Sequence, residues 1–184
     1  RWRRLVAAIV LCTLTHVLVH STWSFIPLYL VDHFGASKGA AAASMALIHL
    51  GGLWVAPLAG YVSDRVGRLP LVVTACFFSG PVIYLFTVVP YGLGTGAVLV
   101  AVGIITFVSS PVLQAYIVDE APENRRSLII GIYFFGAAEG NGVLTPVLGY
   151  LIDNVGFHST FTIVSVALVV VTLVCSMWLW ASRH

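Results

Sequence analysis

The chain has 184 residues, of which 59% are hydrophobic and only 9% charged, with 9 Lys and Arg set against 7 Asp and Glu for a net charge of +2. An ordinary soluble domain carries about 25% charged residues, and a soluble surface built from this composition would aggregate. The same composition excludes disorder, which needs polar and charged sequence, and a nucleic-acid binder, which needs a basic stripe along the phosphates; an integral membrane protein remains.

A hydrocarbon core of about 30 Å takes roughly 20 apolar residues per helix. Six stretches meet that length, near residues 5–30, 40–63, 69–89, 96–118, 128–152 and 157–180. The first follows Arg1, Arg3 and Arg4 and carries a stripe of Thr13, His16, His20 and Ser24 at helical spacing. It is too long for the apolar core of a signal peptide, and a chain opening on Arg1 is expected to be part of a longer one. The second holds His49 and a small-residue stripe, Gly52, Ala56 and Gly60, suited to close helix approach in lipid. The third has no charged residue or His in its interior, whereas the fourth contributes Ser109, Ser110 and Gln114. The fifth contains Glu139, several glycines ending at Gly149, and Pro146, which is expected to kink it. The sixth again carries no charged residue or His in its interior. Short breaks with Gly, Pro, Asp and Asn separate the six. The runs are too long and too little alternated for barrel strands, so the fold class is all-α. Cys12, Cys76 and Cys175 lie within apolar runs without metal-ligand spacing and read as small buried hydrophobes.

Charge placement orients the spans. Arg1, Arg3, Arg4, Arg65, Arg68, Arg125, Arg126 and Arg183 fall on one side, and Lys38 alone on the other. The positive-inside rule then puts both termini in the cytoplasm, with the cell membrane as the expected location. Trp2, Tyr29, Tyr61, Tyr91, Tyr116, Tyr150, Trp178 and Trp180 lie near span ends, where an aromatic belt would sit.

The second break reads Gly60-Tyr61-Val62-Ser63-Asp64-Arg65-Val66-Gly67-Arg68. Asp64 lies at the negative, C-terminal pole of one helix and Arg68 at the positive, N-terminal pole of the next. Each is unfavourable by about 0.3–1 kcal/mol if unpartnered, so partners on neighbouring helix ends are expected. Glu123, Arg125 and Arg126 are the nearest candidates. The pattern G-x3-D-R-x-G-R resembles the loop after the second helix of a major facilitator superfamily half, with Leu69 where the family usually has another basic residue.

That resemblance implies an integral membrane six-helix bundle built from two inverted three-helix repeats, half of a twelve-helix transporter. It also implies that Gly60, Asp64, Arg65, Gly67 and Arg68 form a gating latch, and that Gly52, Ala56, Pro146 and Gly149 serve helix packing. Family N-terminal halves often carry an arginine in the fourth span; its absence between residues 96 and 118 points to the C-terminal half. The partners implied are a small-molecule substrate, the lipid bilayer and the other six-helix half of the same chain, with no nucleic acid.

Ionisable residues inside a span are costly and are functional candidates by default. Counted at about 1.5 Å per residue, His16 lies roughly 18 Å from Arg4, His20 roughly 24 Å, His49 roughly 22 Å from Asp64 and Glu139 roughly 20 Å from Arg126. With Gln114, they form the candidate substrate and proton pathway. Glu139 reads either as a proton or substrate-cation site, with His16 beside it, or as a structural carboxyl bonded between helices. His16 and His20 have i, i+4 spacing, which a metal could use, but no carboxylate on that span completes a site, and no metal or cofactor is expected. His49 reads as a pathway residue or as one that satisfies a backbone carbonyl. With no Walker loop in the sequence, the expected function is secondary active transport of a small solute by alternating access, coupled through Glu139. An intramembrane metal enzyme using His16, His20, His49 and Glu139 is one alternative; a self-contained six-helix channel is another.

Overall fold

The computed structural model describes residues 2–181, all helix and short turns with no strand among them. Arg1, Arg183 and His184 lie outside the described residues, as does the side chain of Ala56. The helices are α1 (Trp2–Trp23), α2 (Ile26–Phe34), α3 (Lys38–Val66), α4 (Arg68–Val88), α5 (Leu93–Glu120) and α6 (Arg126–Ala181).

The breaks form where the local chemistry stops a helix. Gly35 takes a left-handed conformation (φ 64, ψ 24) and its N–H bonds the carbonyls of Leu30 and Val31, closing α2. Ser37 then caps α3, its hydroxyl accepting from the N–H of Ala40 at 3.2 Å. Gly67 (φ 100) joins α3 to α4, Gly92 (φ 137) precedes α5, and Gly156 (φ 83, ψ 167) interrupts α6. These four are the only positive-φ residues among those described, and each lies in a break expected from the sequence.

By length and apolarity four helical stretches can cross a membrane: Trp2–Phe34, Arg68–Val88, Leu93–Glu120 and Glu123–Ala181. The bent helix α3 makes a fifth, its parts Lys38–Val55 and Pro57–Val66 meeting at 49° beside Pro57. The last stretch has 59 residues, about 88 Å of helix, far more than a bilayer accommodates. It folds back at Gly156. Both Leu128 near its start and Trp180 near its end border grooves that also touch the first residues of α1.

Two core clusters mark the two ends of the bundle. Leu5, Val72, Ile117, Ile129 and Leu179 pack together at the arginine-rich end. Leu30, Ala41, Phe86, Val98, Ile152 and Phe161 pack together at the other. The chain passes between these ends six times. The first set of three passes begins at the arginine-rich end and the second set at the opposite end, which is the inverted arrangement of two three-helix repeats.

Where the sequence predicts one span over residues 5–30, the chain is broken at Ser24 and Phe25, with Pro27 in the first turn of α2. Tyr29, expected in the interfacial belt, is instead 2% exposed. It is the hub of an aromatic cluster with Phe34, Phe86, Phe157 and Phe161, with ring centroids 5.3–5.5 Å away.

Glycines set the closest helix contacts. A Cβ on Gly51 would lie 2.6 Å from the carbonyl oxygen of Val100, and one on Gly103 would strike the carbonyl of Ile48, so α3 and α5 touch backbone to backbone. On the opposite flank a Cβ on Gly80 would meet the carbonyl oxygen of Ser165 at 2.8 Å. The Ser165 hydroxyl donates to the Gly80 carbonyl, also at 2.8 Å. That reciprocal contact ties α4 to the part of α6 beyond Gly156.

Candidate functional site

Three of the predicted pathway residues come together on one face. The rings of His16 and His20 stack with centroids 5.3 Å apart, and His20 stacks on Trp23 at 5.2 Å. Trp23 meets His49 of α3 at 6.0 Å and Phe107 of α5 at 6.5 Å, and His49 meets Phe107 at 5.9 Å. Tyr133 of α6 closes the other end, 6.5 Å from His16. Four helices thus supply one imidazole and aromatic ladder. His20 and His49 are exposed, whereas the Trp23 side chain is buried and its Nε1–H has no acceptor among the described residues.

The helix geometry explains the alignment. Residues 16, 20 and 23 are four and three apart, so they stack along one stripe of α1. His49 is brought in by the tight α3–α5 contact at Gly51 and Gly103. Its Nδ1–H donates to the Met45 carbonyl at 2.8 Å. That bond fixes the ring orientation, and the residue remains exposed. The backbone-satisfying and pathway readings of His49 are therefore compatible.

Below the ladder, Cys12, Thr15, His16, Ser109, Ser110 and Tyr133 border a chamber of about 20 Å³, enough for one water. The Thr15 hydroxyl is buried there without a partner among the described residues. Gln114 sits one turn beyond Ser110 and donates to its hydroxyl at 3.3 Å, but does not border the chamber.

Glu139 stands apart from the ladder. The first part of α6 runs alongside α1, with Gly136 against Thr13 and Gly140 against Val17. That register places Glu139 level with His16. Its side chain is exposed, with no hydrogen bond or ion pair to any described residue. Asn141, two residues on, accepts from Ser21 at 3.2 Å and ties the two helices together. No group of three His, Cys, Asp or Glu able to hold a metal occurs among the described residues.

In the latch loop, Arg68 is the centre. It reaches Asp64 at 3.5 Å and Asp119, in the last turn of α5, at 2.7 Å. The partner expected from Glu123, Arg125 or Arg126 is therefore Asp119. Arg126 turns instead to Glu123 at 3.9 Å and to the Ala121 carbonyl at 3.3 Å. Arg68 begins its own helix at the unfavourable pole, yet it faces the negative C-terminal ends of α3 and α5, which offsets that placement. Gly67 supplies the positive φ, and Arg65 lies over the Tyr61 ring at 4.6 Å. A Cβ on Gly60 would meet open space.

The expected packing residues divide. A Cβ on Gly52 would enter the ring of Phe107, and one on Gly149 would touch Phe25 at 3.4 Å. Pro146 stays inside α6, and the non-helical residue of that helix is Gly156. The sequence reading missed Trp23, Phe107, Tyr133 and Asp119. Trp23 carried a signal, being one turn from His20, and Asp119 is an acid at the arginine-rich end; nothing local to Phe107 or Tyr133 points at a histidine on another helix.

The family model described as Major Facilitator Superfamily matches residues 7–184. Solved structures similar to this chain include the POT family transporter PepTSo, with 14% identity, a TM-score of 0.77 and coverage of 100% of this chain and 38% of that one. A D-xylose-proton symporter matches at 19% identity and a TM-score of 0.68, over 97% of this chain and 47% of that one. A bacterial homolog of the human lysosomal transporter Spinster, inward-facing and occupied, matches at 19% identity and a TM-score of 0.66, over 94% and 43%. The chain therefore spans less than half the length of these transporters. No curated protein sequence matches it.

Proposed function

The chain belongs to the Major Facilitator Superfamily, and on that premise we propose that it is one six-helix half of a secondary transporter moving a small solute by alternating access. The observation that carries this reading is the exposure of His20, His49 and Glu139 at mid-depth in a bundle whose other flank is apolar. Ionisable side chains at that depth are too costly to leave against lipid, so protein or a water-filled cavity must face them. The missing half supplies the opposite wall. The ladder from His16 to Phe107 is the solute-facing wall of this half. Its flat rings accept an apolar or ring-shaped face, and the exposed His20 and His49 imidazoles supply polar contacts. Glu139, level with His16, is the proton-coupling carboxylate, in keeping with the proton symport named for the D-xylose neighbour. The Asp64–Arg68–Asp119 cluster holds the arginine-rich end closed in one state, and the arginines put that end and both termini in the cytoplasm. The exposed flank and the paired latch favour this reading over an intramembrane metal enzyme.

The test is a His20→Cys variant of the full-length chain with the native cysteines replaced, probed in vesicles of both orientations with a membrane-impermeant maleimide. Labelling from both sides is expected, each favoured by a different gating state. Labelling from neither side would place His20 against lipid or in a closed core and overturn the cavity assignment.

A further inference from the structure

The arginine-rich end of the bundle carries a second feature, on the flank away from the ladder. The starts of α1 and α4 and the end of α6 leave a groove of about 470 Å³ bordered by Arg4, Pro70, Val73, Thr74, Leu179 and Trp180. We propose that this groove binds an anionic phospholipid, with the phosphate held by Arg4 and an acyl chain lying along Pro70, Val73 and Leu179.

The charge argues for the headgroup. Arg4 borders the groove half-buried, and its guanidinium fork matches phosphate oxygens two at a time. No acidic residue among the described residues borders the groove to compete. The position argues for a lipid rather than a free phosphate. All the other bordering residues except Thr74 and Ser176 are apolar, and Trp180 is exposed at the rim, where indoles sit among headgroups. The adjoining surfaces of α4 and the second part of α6 expose Phe77, Phe78, Val170, Leu173 and Val174, a lipid-contacting flank from which a phospholipid can enter. Basic pockets between spanning helices in the leaflet rich in anionic lipid are suited to such headgroups. The assignment rests on the proposed orientation, with the arginine-rich end in the cytoplasmic leaflet, and does not depend on what the transporter carries.

The test uses the full-length chain in bilayers doped with brominated phosphatidylglycerol or brominated phosphatidylcholine. Bromines quench the Trp180 emission, isolated as the part of the signal lost in Trp180→Phe. Brominated phosphatidylglycerol is expected to quench at about fivefold lower mole fraction, the effect of one cation near its anion. Arg4→Gln removes the preference, and so does Thr74→Phe, which fills the groove without altering charge. Arg3→Gln, which lies outside the groove, preserves it. Equal quenching by both lipids in the unmodified chain overturns the proposal, as it would if another segment of the full chain covered the groove. A loss as large in Arg3→Gln as in Arg4→Gln also overturns it, because that is diffuse surface attraction, as does a preference that survives Thr74→Phe.

Discussion

The two flanks of this bundle are made of the same kind of helix and differ in what they leave uncovered. One flank, built from α4 and the part of α6 beyond Gly156, exposes Phe78, Leu85, Ile163, Val166 and Val170, with no charged side chain between Leu69 and Val88. The other, built from α1, α3 and the first part of α6, exposes His20, His49 and Glu139 at the same depth. The α4 flank is also the more hydrophobic of the two, and the sharpest difference lies in a handful of ionisable side chains, which in lipid separate a flank that faces hydrocarbon from one that faces protein or water.

The largest effect should come from moving a charge from one flank to the other. Val170→Asp places a carboxylate in the apolar flank near mid-depth and is expected to cost about 2.5–3.5 kcal/mol, read as loss of membrane-integrated, folded protein. Glu139→Gln removes the charge from the other flank and should leave integration unchanged while flattening the pH dependence of uptake. Equal tolerance of Val170→Asp and Glu139→Gln would mean that both flanks face the same environment. A pH dependence that survives Glu139→Gln would remove Glu139 from the coupling role.

A smaller effect should separate the flanks by packing. Gly80→Leu drives a side chain into the Ser165 backbone and breaks its bond to the Gly80 carbonyl. Overpacking of this kind costs about 1–3 kcal/mol, measurable as a lowered unfolding midpoint in detergent. Gly142→Leu meets open space and should leave the midpoint unchanged while reducing uptake, if the flank from which it projects faces a second half as proposed. A lowered midpoint for Gly142→Leu would place that position in a packed interface instead.

How much of this was visible in the sequence follows from the range of the forces involved. Span number, turn positions and the apolar flank depend on local composition, and Gly35, Gly67, Gly92 and Gly156 each sit where a break was expected. The family followed from nine consecutive residues in one loop, Gly60 to Arg68. The ladder is different. Depth counting brings His16, His20 and His49 to one level, but only the α3–α5 contact at Gly51 and Gly103 sets His49 beside Trp23 and Phe107. The break at Ser24 and Phe25 was hidden because both halves of the first span are apolar, and hydropathy does not register a missing hydrogen bond. Pro146 lies inside α6, and the chain reverses separately at Gly156, in a break the sequence already placed.

The smallest effect tests whether the latch is a pair or a network. Arg68 is a quarter exposed and lies 2.7 Å from Asp119 but 3.5 Å from the more exposed Asp64. Exposed pairs of this sort contribute about 0.2–1 kcal/mol, so neither single variant should unfold the protein. A double-mutant cycle of Arg68→Gln with Asp119→Asn should give coupling near the upper end of that range, and the cycle with Asp64→Asn near the lower end. Both should shrink as salt rises, because the Debye length falls to about 3 Å at 1 M. If the loop gates the arginine-rich end, Asp119→Asn should also increase maleimide labelling of His20→Cys from that side, by the factor that the coupling energy sets. Swapping the charges, Arg68→Asp with Asp119→Arg, should restore only part of this. The swapped arginine keeps its partner and stays at the favourable C-terminal pole of α5, and the aspartate moves to the favourable N-terminal pole of α4, but the new acid then faces Asp64 across the same turn. Full restoration would show an isolated pair; partial restoration is the signature of a cluster in which two helix C-termini share one arginine.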